Sequence, residues 1–272
     1  MITASIVLYH TRLDEMGVVI RCLNDSPITK IYVLDNSESP ELRDFALSLT
    51  NKVEYVHGHG NIGYGKAHNI ALKRVLELHS RFHLIINPDI SFDKGTIENL
   101  VSFMDTHEDV GSCMPDVVYP DGREQFLCKL LPTPLDMFGR RLLPKKWMEK
   151  RNYKFEMHET GYIKTRNIPL LSGCFMFLRM SVIEQVGLFD DRFFLYFEDY
   201  DLTRRIHQVS KTVFYPEVRI VHNHAHEHRG NKKLLKISIK SAVQYFNKWG
   251  WFFDKERIKI NRNAFSEENV IE

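Results

Sequence analysis

Between Phe189 and Arg205 the chain reads FDDRFFLYFEDYDLTRR, setting five carboxylates among six aromatic rings. Carboxylates beside apolar rings lose hydration, which disfavours the charged form and moves the pKa toward the range of a general base. Glu198, Asp199 and Asp201 are the candidates. The same residues also suit the start of a helix, where acidic groups are favoured. Asp199 to Gln208 reads as one, with Asp201 and Arg205 at i,i+4. Taken alone, the segment divides evenly between a site and a helix end.

Three further polar groups fall where strands end. Asp35-Asn36-Ser37 follows a β-branched run and can accept hydrogen bonds from a base or ribose, or simply form an Asx-turn. The loop Gly58 to Gly65 offers Asn61, Gly63, Lys66 and Asn69, the last two just beyond it. It matches neither GxGxxG after a first strand nor a P-loop ending, so an ordinary strand-to-helix turn explains it almost as well. Asn87-Pro88-Asp89 ends an apolar strand in an amide, a rigid residue and a carboxylate, a setting that suits an oxygen-seeking divalent ion bridging diphosphate oxygens. Later, His222, His224, His226 and His228 alternate along an extended stretch. No CxxC or HExxH partner accompanies them, so zinc is not expected; one histidine joining Asp89 on Mg²⁺ or Mn²⁺ fits better.

These groups need a scaffold. Ile2 to Tyr9 and Thr29 to Leu34 flank a helical stretch from Asp14 to Asn24, a βαβ opening. Val53 to His57 leads into the glycine loop, after which Ala67, Ala71, Val75 and Leu78 recur at helical spacing, and His83 to Asn87 is the next strand. Such alternation predicts an α/β fold with a mostly parallel sheet covered on both faces and its ligands beyond the carboxyl ends of the strands. Residues 120–168 loosen into Pro-, Lys- and Arg-containing sequence and read as a long insertion able to move. Leu170 to Leu178, Thr212 to Tyr215 and Val218 to Val221 read as later strands.

Composition narrows the partners. With 37 basic and 35 acidic residues the net charge is +2, which gives no general attraction to nucleic acid. Cys22, Cys113, Cys128 and Cys174 are scattered and suggest free thiols in a reducing compartment. No stretch approaches the roughly 18 apolar residues that span a bilayer, so a cytoplasmic protein is expected, with contact at the inner face of the membrane as its only membrane association. Asn231 to Trp249 reads as a helix with Leu235, Ile239, Ala242, Val243 and Phe246 on one face and Lys232, Lys236 and Lys240 beside it, followed by Trp251, Phe252 and Phe253. Packing on the core is the commoner fate of such a helix; an anionic membrane interface or a lipid-linked substrate is the other.

In order along the chain, Ser5 to His10, Asp35-Asn36-Ser37, Asn61 to Asn69, Asn87-Pro88-Asp89, Leu171 to Phe177, Phe189 to Arg205 and Val221-His222 resemble the family 2 glycosyltransferases of the GT-A fold. Within them they are similar to the rhamnosyltransferase-like enzymes of bacterial surface polysaccharide assembly. The resemblance covers nearly the whole chain. It implies a Rossmann-like GT-A domain over residues 1–230, with 120–168 as an acceptor-side insertion, and a C-terminal amphipathic helix and tail over 231–272 packed on it. It implies an inverting transfer of a sugar, with rhamnose or another deoxysugar favoured, from a nucleotide-diphosphate donor to a saccharide acceptor carried on a polyprenyl diphosphate. A homo-oligomer is compatible with it.

By the same resemblance Asp199 is the base and Glu198 its partner. Tyr9, Asp35, Asn36, Asn61, Gly63, Lys66, Asn69 and Asn87 hold the donor nucleotide, and Ser172, Gly173 and Phe197 face the acceptor. Asp89 and His222 hold a Mg²⁺ or Mn²⁺ ion, although Asn87 replaces the first carboxylate of the usual DxD-type motif. A nucleotidyltransferase, or a sugar-nucleotide-binding module without catalysis, is the alternative. His10 to Asp14 lacks the basic glycine loop of the former, and the intact Glu198-Asp199 pair argues against the latter.

Overall fold

A computed structural model describes residues 1–139, 143–223 and 232–271, all but the Lys145 side chain. The histidines at 224, 226 and 228 therefore lie outside the described residues.

Strands β1 (Ile2–Leu8), β2 (Lys30–Asp35), β3 (Val53–Val56) and β4 (Phe82–Ile86) run parallel in the order β3-β2-β1-β4. Helices α1 (Leu13–Asn24), α2 (Arg43–Leu49) and α3 (Tyr64–Glu77) make the crossovers. The sheet continues through β8 (Phe175–Arg179), β6 (Val110–Val118), β9 (Lys211–His222) and β5 (Ile90–Phe92), with β7 (Arg166–Asn167) pairing β9, and this half mixes directions. The fold is thus α/β with a mixed sheet, parallel through its N-terminal half.

Period-2 patterning divides the core. Ala4, Ile6 and Leu8 face α1, α2 and α4 (Thr96–Thr106), whereas Val7, Tyr32 and Leu34 face α3, α7 (Met180–Val186) and α8 (Glu198–His207). On the α3 face the apolar layer is broken by a buried polar chain: Thr3 Oγ1 meets His83 Nδ1 at 2.7 Å, and Ser5 Oγ lies 2.8 Å from His83 Nε2 and 2.7 Å from His68 Nδ1. Burial pushes the His83 pKa down to about 3.

Three expectations change. The two strands read at 212–215 and 218–221 are one, β9, whose register against β6 shifts between Tyr215 and Arg219. Pro216 lies in that interval, where a missing N–H breaks the ladder without ending the strand. The 120–168 segment carries α5 (Pro134–Phe138) and α6 (Lys145–Phe155). Within it Arg151 meets Asp136 at 2.5 Å, and the Tyr162 hydroxyl lies 3.1 Å from Cys128 O and 2.8 Å from Glu156 O. In α9 (Lys232–Trp249) the buried face is Ser241, Ala242, Tyr245 and Phe246, while Ile239 is exposed, so the apolar stripe is rotated from the one read in sequence.

A buried ion network fixes α9 and α10 (Lys255–Asn263) to α8. Arg204 is buried and forks onto Asp254 at 2.8 and 2.9 Å, while its guanidinium lies 4.1 Å from the Trp249 ring centroid. Asp201, fully buried, takes Arg205 Nε at 2.9 Å, Lys248 Nζ at 2.6 Å and Trp249 Nε1–H at 2.8 Å. It is a structural carboxylate. No helix among the described residues is long and apolar enough to cross a membrane.

Candidate active site

The Asn87-Pro88-Asp89 turn joins β4 to β5 at the carboxyl end of the parallel strands, held by Asn87 N–H donating to Cys174 O at 2.9 Å. Because β5 pairs with the end of β9, Ile90 lies opposite His222. Asp89 Oδ1 then stands 3.3 Å from His222 Nε2. On the other side of the ring, Nδ1 lies 2.9 Å from Gln125 Oε1, and Gln125 Nε2 donates to His222 O at 2.8 Å. An amide oxygen only accepts, so Nδ1 carries a proton and Nε2 is the nitrogen turned to Asp89. Burial opposes a charge on His222, but Cys174 and Asp89 outweigh it and raise its pKa to about 10, so an ion taken up at Nε2 would have to displace the proton held there. Glu15 of α1 faces the same place; burial first, then the charge of Asp89, raises its pKa.

Whether this pair suits a divalent ion can be judged from its donors. Two ligands each about 2.1 Å from one ion, at the right angle of an octahedron, stand about 3 Å apart, close to the 3.3 Å between Asp89 and His222. No group of three or more His, Cys, Asp or Glu side chains able to hold a metal occurs among the described residues. One oxygen and one nitrogen donor would suit Mg²⁺ or Mn²⁺ at an open site rather than a closed zinc site.

The acidic pair begins α8. Tyr196 and Phe197 precede it with φ of 67° and 68°, a left-handed conformation that bulky residues rarely adopt and that packing must hold. Asp199 Oδ2 accepts from Gly173 N–H at 2.9 Å and Oδ1 from Tyr200 N–H at 2.9 Å. A Cβ on Gly173 would stand 2.9 Å from Asp199 Cβ, so only glycine allows this approach. Glu198 is buried against Gly65, where an added Cβ would meet Glu198 Cβ at 3.2 Å. Its Oε2 makes no hydrogen bond among the described residues. Burial, then the neighbouring Asp199 charge, pushes the Glu198 pKa well up. Burial also raises Asp199, but its two backbone N–H partners favour the anion and temper the rise. Glu198 therefore holds the proton and Asp199 the charge.

Tyr64 links the two halves. Its hydroxyl lies 3.0 Å from Asn87 Oδ1 and 2.8 Å from Gly173 O, and Gly173 N–H in turn holds Asp199.

Other residues expected at the site divide. Tyr9 is exposed at the end of β1, Lys66 is exposed on the first turn of α3, and Ser172 is half-buried beside Gly173. Asn61 is exposed and accepts from Gly63 N–H at 3.3 Å. Asp35, at the end of β2, is buried; it accepts from Ser37 N–H at 2.9 Å, the Asx-turn, and from the Tyr55 hydroxyl. Four others have partners within the protein. Asn69 is buried and binds Phe189 O and Asp191 Oδ1 through Nδ2 and Phe189 N–H through Oδ1, so it latches α3 to the loop before α8. Asn36 is buried and spends its amide on Gly63 O and His59. Gly63 has φ 93° with Phe194 O where a Cβ would sit, so close backbone packing requires glycine here. Phe197 is buried against Tyr200 and Tyr245 in the aromatic core.

Sequence reasoning missed Gln125 and Tyr64. Nothing local marks Gln125, which is 97 residues from His222. Tyr64, the first residue of α3 between two glycines, was within the quoted motif and could have been singled out as a ring held close to backbone.

A model of glycosyl transferase family 2 matches residues 6–187. An N-acetylglucosaminyl-diphospho-decaprenol L-rhamnosyltransferase of Mycobacterium tuberculosis is 24% identical over 223 residues, 79% of this chain and 72% of the relative. Rhamnosyltransferase WbbL of Escherichia coli is 24% identical over 268 residues, 95% of each chain. Among solved structures, GalNAc-T7 with UDP, GalNAc and Mn2+ superposes with a TM-score of 0.68 at 13% identity, over 100% of this chain and 53% of that one, a likeness of fold.

Proposed function

Since the chain belongs to glycosyl transferase family 2, whose members are inverting glycosyltransferases, we propose that it moves a deoxyhexose, rhamnose first among them, from a nucleoside-diphosphate donor to a saccharide on a lipid diphosphate. Family membership sets aside the nucleotidyltransferase and the module without catalysis. The sugar and the lipid carrier rest on the two rhamnosyltransferase relatives, one of which names a diphospho-decaprenol acceptor.

The observation that carries the site assignment is the Tyr64 bridge, which joins the Asn87–Asp89 turn to the backbone holding Asp199. Donor diphosphate lies against the turn and His222, with Tyr9, Asp35, Asn61 and Lys66 on the nucleotide side. The acceptor hydroxyl enters past Ser172 and gives its proton to Asp199 as its oxygen bonds the anomeric carbon and the bond to the diphosphate breaks on the opposite face. Glu198, protonated, keeps a second negative charge out of the pair. Asp89 and His222 hold the divalent ion, which when bound supplies positive charge to the diphosphate. Proton abstraction by a positioned base contributes about 10² to 10⁴ in rate.

Residues 1–230 act as the transferase unit, with 120–168 on the acceptor side, and 231–272 complete it through the ion network on α8. The reaction proceeds on the cytoplasmic side, where nucleotide sugars are made. Incubation with dTDP-, UDP- and GDP-sugars, Mn²⁺ and a polyprenyl-diphosphate saccharide tests the reading: acceptor-dependent release of nucleoside diphosphate is expected. Absence of such release across the whole panel sinks it.

A further inference from the structure

Large aromatic side chains seldom stand free in water, yet Phe253 is 97% exposed, Phe252 72% and Trp147 70%. The first two form the loop between α9 and α10, and Trp147 lies on the first turn of α6. These elements are held together. Phe138 of α5 stacks on Trp251 at 6.2 Å, Arg257 of α10 donates to Pro132 O at 3.2 Å, and Lys154 of α6 lies 5.9 Å from the Phe265 ring centroid. Asn261 exchanges two hydrogen bonds with the Leu131 backbone, at 2.9 and 2.8 Å.

Charge gathers on the same elements. Residues 145–155 hold five basic residues against one acidic, and 255–263 hold four against one, together exceeding the net +2 of the entire chain. Lys150, Lys255 and Lys259 are exposed among them. The face is also linked to the site through the core. One aromatic cluster runs from Phe197, next to Glu198, through Tyr245 and Phe246 to Trp251, next to Phe252.

We propose that this face docks the enzyme on an anionic lipid bilayer, Phe252 and Phe253 entering the headgroup–acyl boundary and the lysines of α6 and α10 meeting the headgroups. Exposed aromatics and exposed lysines on elements tied together suit such a surface in both apolarity and charge. The α9 lysine face is not needed for this, because α9 spends its apolar side on the core. The inference rests on the lipid-linked acceptor proposed above, and it places that acceptor's lipid at the end of the aromatic cluster.

Flotation of the full chain with vesicles of phosphatidylcholine, with and without phosphatidylglycerol, tests it. Binding is expected only to the anionic vesicles and should weaken with salt. The double change Phe252→Ser/Phe253→Ser, and separately Lys255→Glu/Lys259→Glu, should each reduce it by about tenfold or more. Donor turnover with a water-soluble saccharide acceptor should be unchanged in both, which separates loss of docking from misfolding and from failure of the proposed reaction. If one pair of changes impairs folding, the other decides. Equal binding to neutral vesicles, no binding by the unaltered protein, or flotation of both variants like the parent overturns the proposal. So does a patch that proves to join two copies, read as a change in sedimentation with flotation retained.

Discussion

Gln125 holds His222 at two points, its Oε1 taking the ring Nδ1–H at 2.9 Å and its Nε2–H reaching the His222 carbonyl at 2.8 Å. The imidazole can neither flip nor change tautomer without losing a bond, so Nε2 stays directed at Asp89.

Loss of that hold should be read in metal affinity. Outer partners of a ligating histidine typically contribute 10- to 100-fold in affinity. Gln125→Leu is expected to weaken Mn²⁺ binding, measured by calorimetry with nucleoside diphosphate present, by about that factor. Unchanged Mn²⁺ affinity would mean that His222 does not ligate.

Asp199 and Glu198 should separate under mutation. Asp199→Asn removes the base and should lower kcat by about 10² to 10⁴ with donor affinity retained, whereas Glu198→Gln replaces a protonated carboxyl with a neutral amide and should keep most activity. A base works deprotonated, so kcat/KM falls as pH drops through the Asp199 pKa. Burial raises that pKa, which places the acidic limb above the ordinary aspartate value of about 3.9. Equal losses in the two variants would reverse the assignment.

The ion network makes a stability prediction. Asp254 both forks with Arg204 and caps α10 by accepting from Arg257 N–H at 2.9 Å. Asp254→Ala leaves Arg204 charged, buried and without its bidentate partner, a change that costs about 3 to 5 kcal/mol in comparable cases. A fall in Tm on the order of 10 °C is expected by differential scanning calorimetry. A shift of a degree or two would relegate the network to decoration.

Acid should weaken the fold through its buried histidines. Burial lowers His83 to about 3 and His207 to about 4. The unfolded chain binds protons at these sites below about pH 6.5 while the folded one does not, so their contribution is complete above that pH and is lost as pH falls toward 4 and 3. At pH 4.5 each represents on the order of 2 kcal/mol. Glu198, raised instead, acts in the opposite sense. Urea titrations from pH 7 to 4.5 should therefore show a steeper decline for the parent than for His83→Asn; parallel declines would remove His83 from the account.

What the sequence determined by itself is the part governed by local order. Alternating β-branched runs and 3.6-residue periodicity marked the four parallel strands, α1 and α3. A strand-end turn marked Asp89, and carboxylates set among aromatic rings marked the Glu198-Asp199 pair, because hydrophobic burial repeats with the period of each element and breaks where polar groups interrupt it. The tertiary structure decided what depends on distant backbone. Asn69, Asn36 and Gly63 look like ligand contacts in one dimension, yet each is taken up by a loop that arrives from elsewhere in the fold. Gln125 looks like nothing until β5, β9 and the residues after β6 bring it to His222. Hydrogen bonds between partners about a hundred residues apart leave no periodic trace, and the rotation of α9 followed from which aromatic rings α8 and its preceding loop offered it.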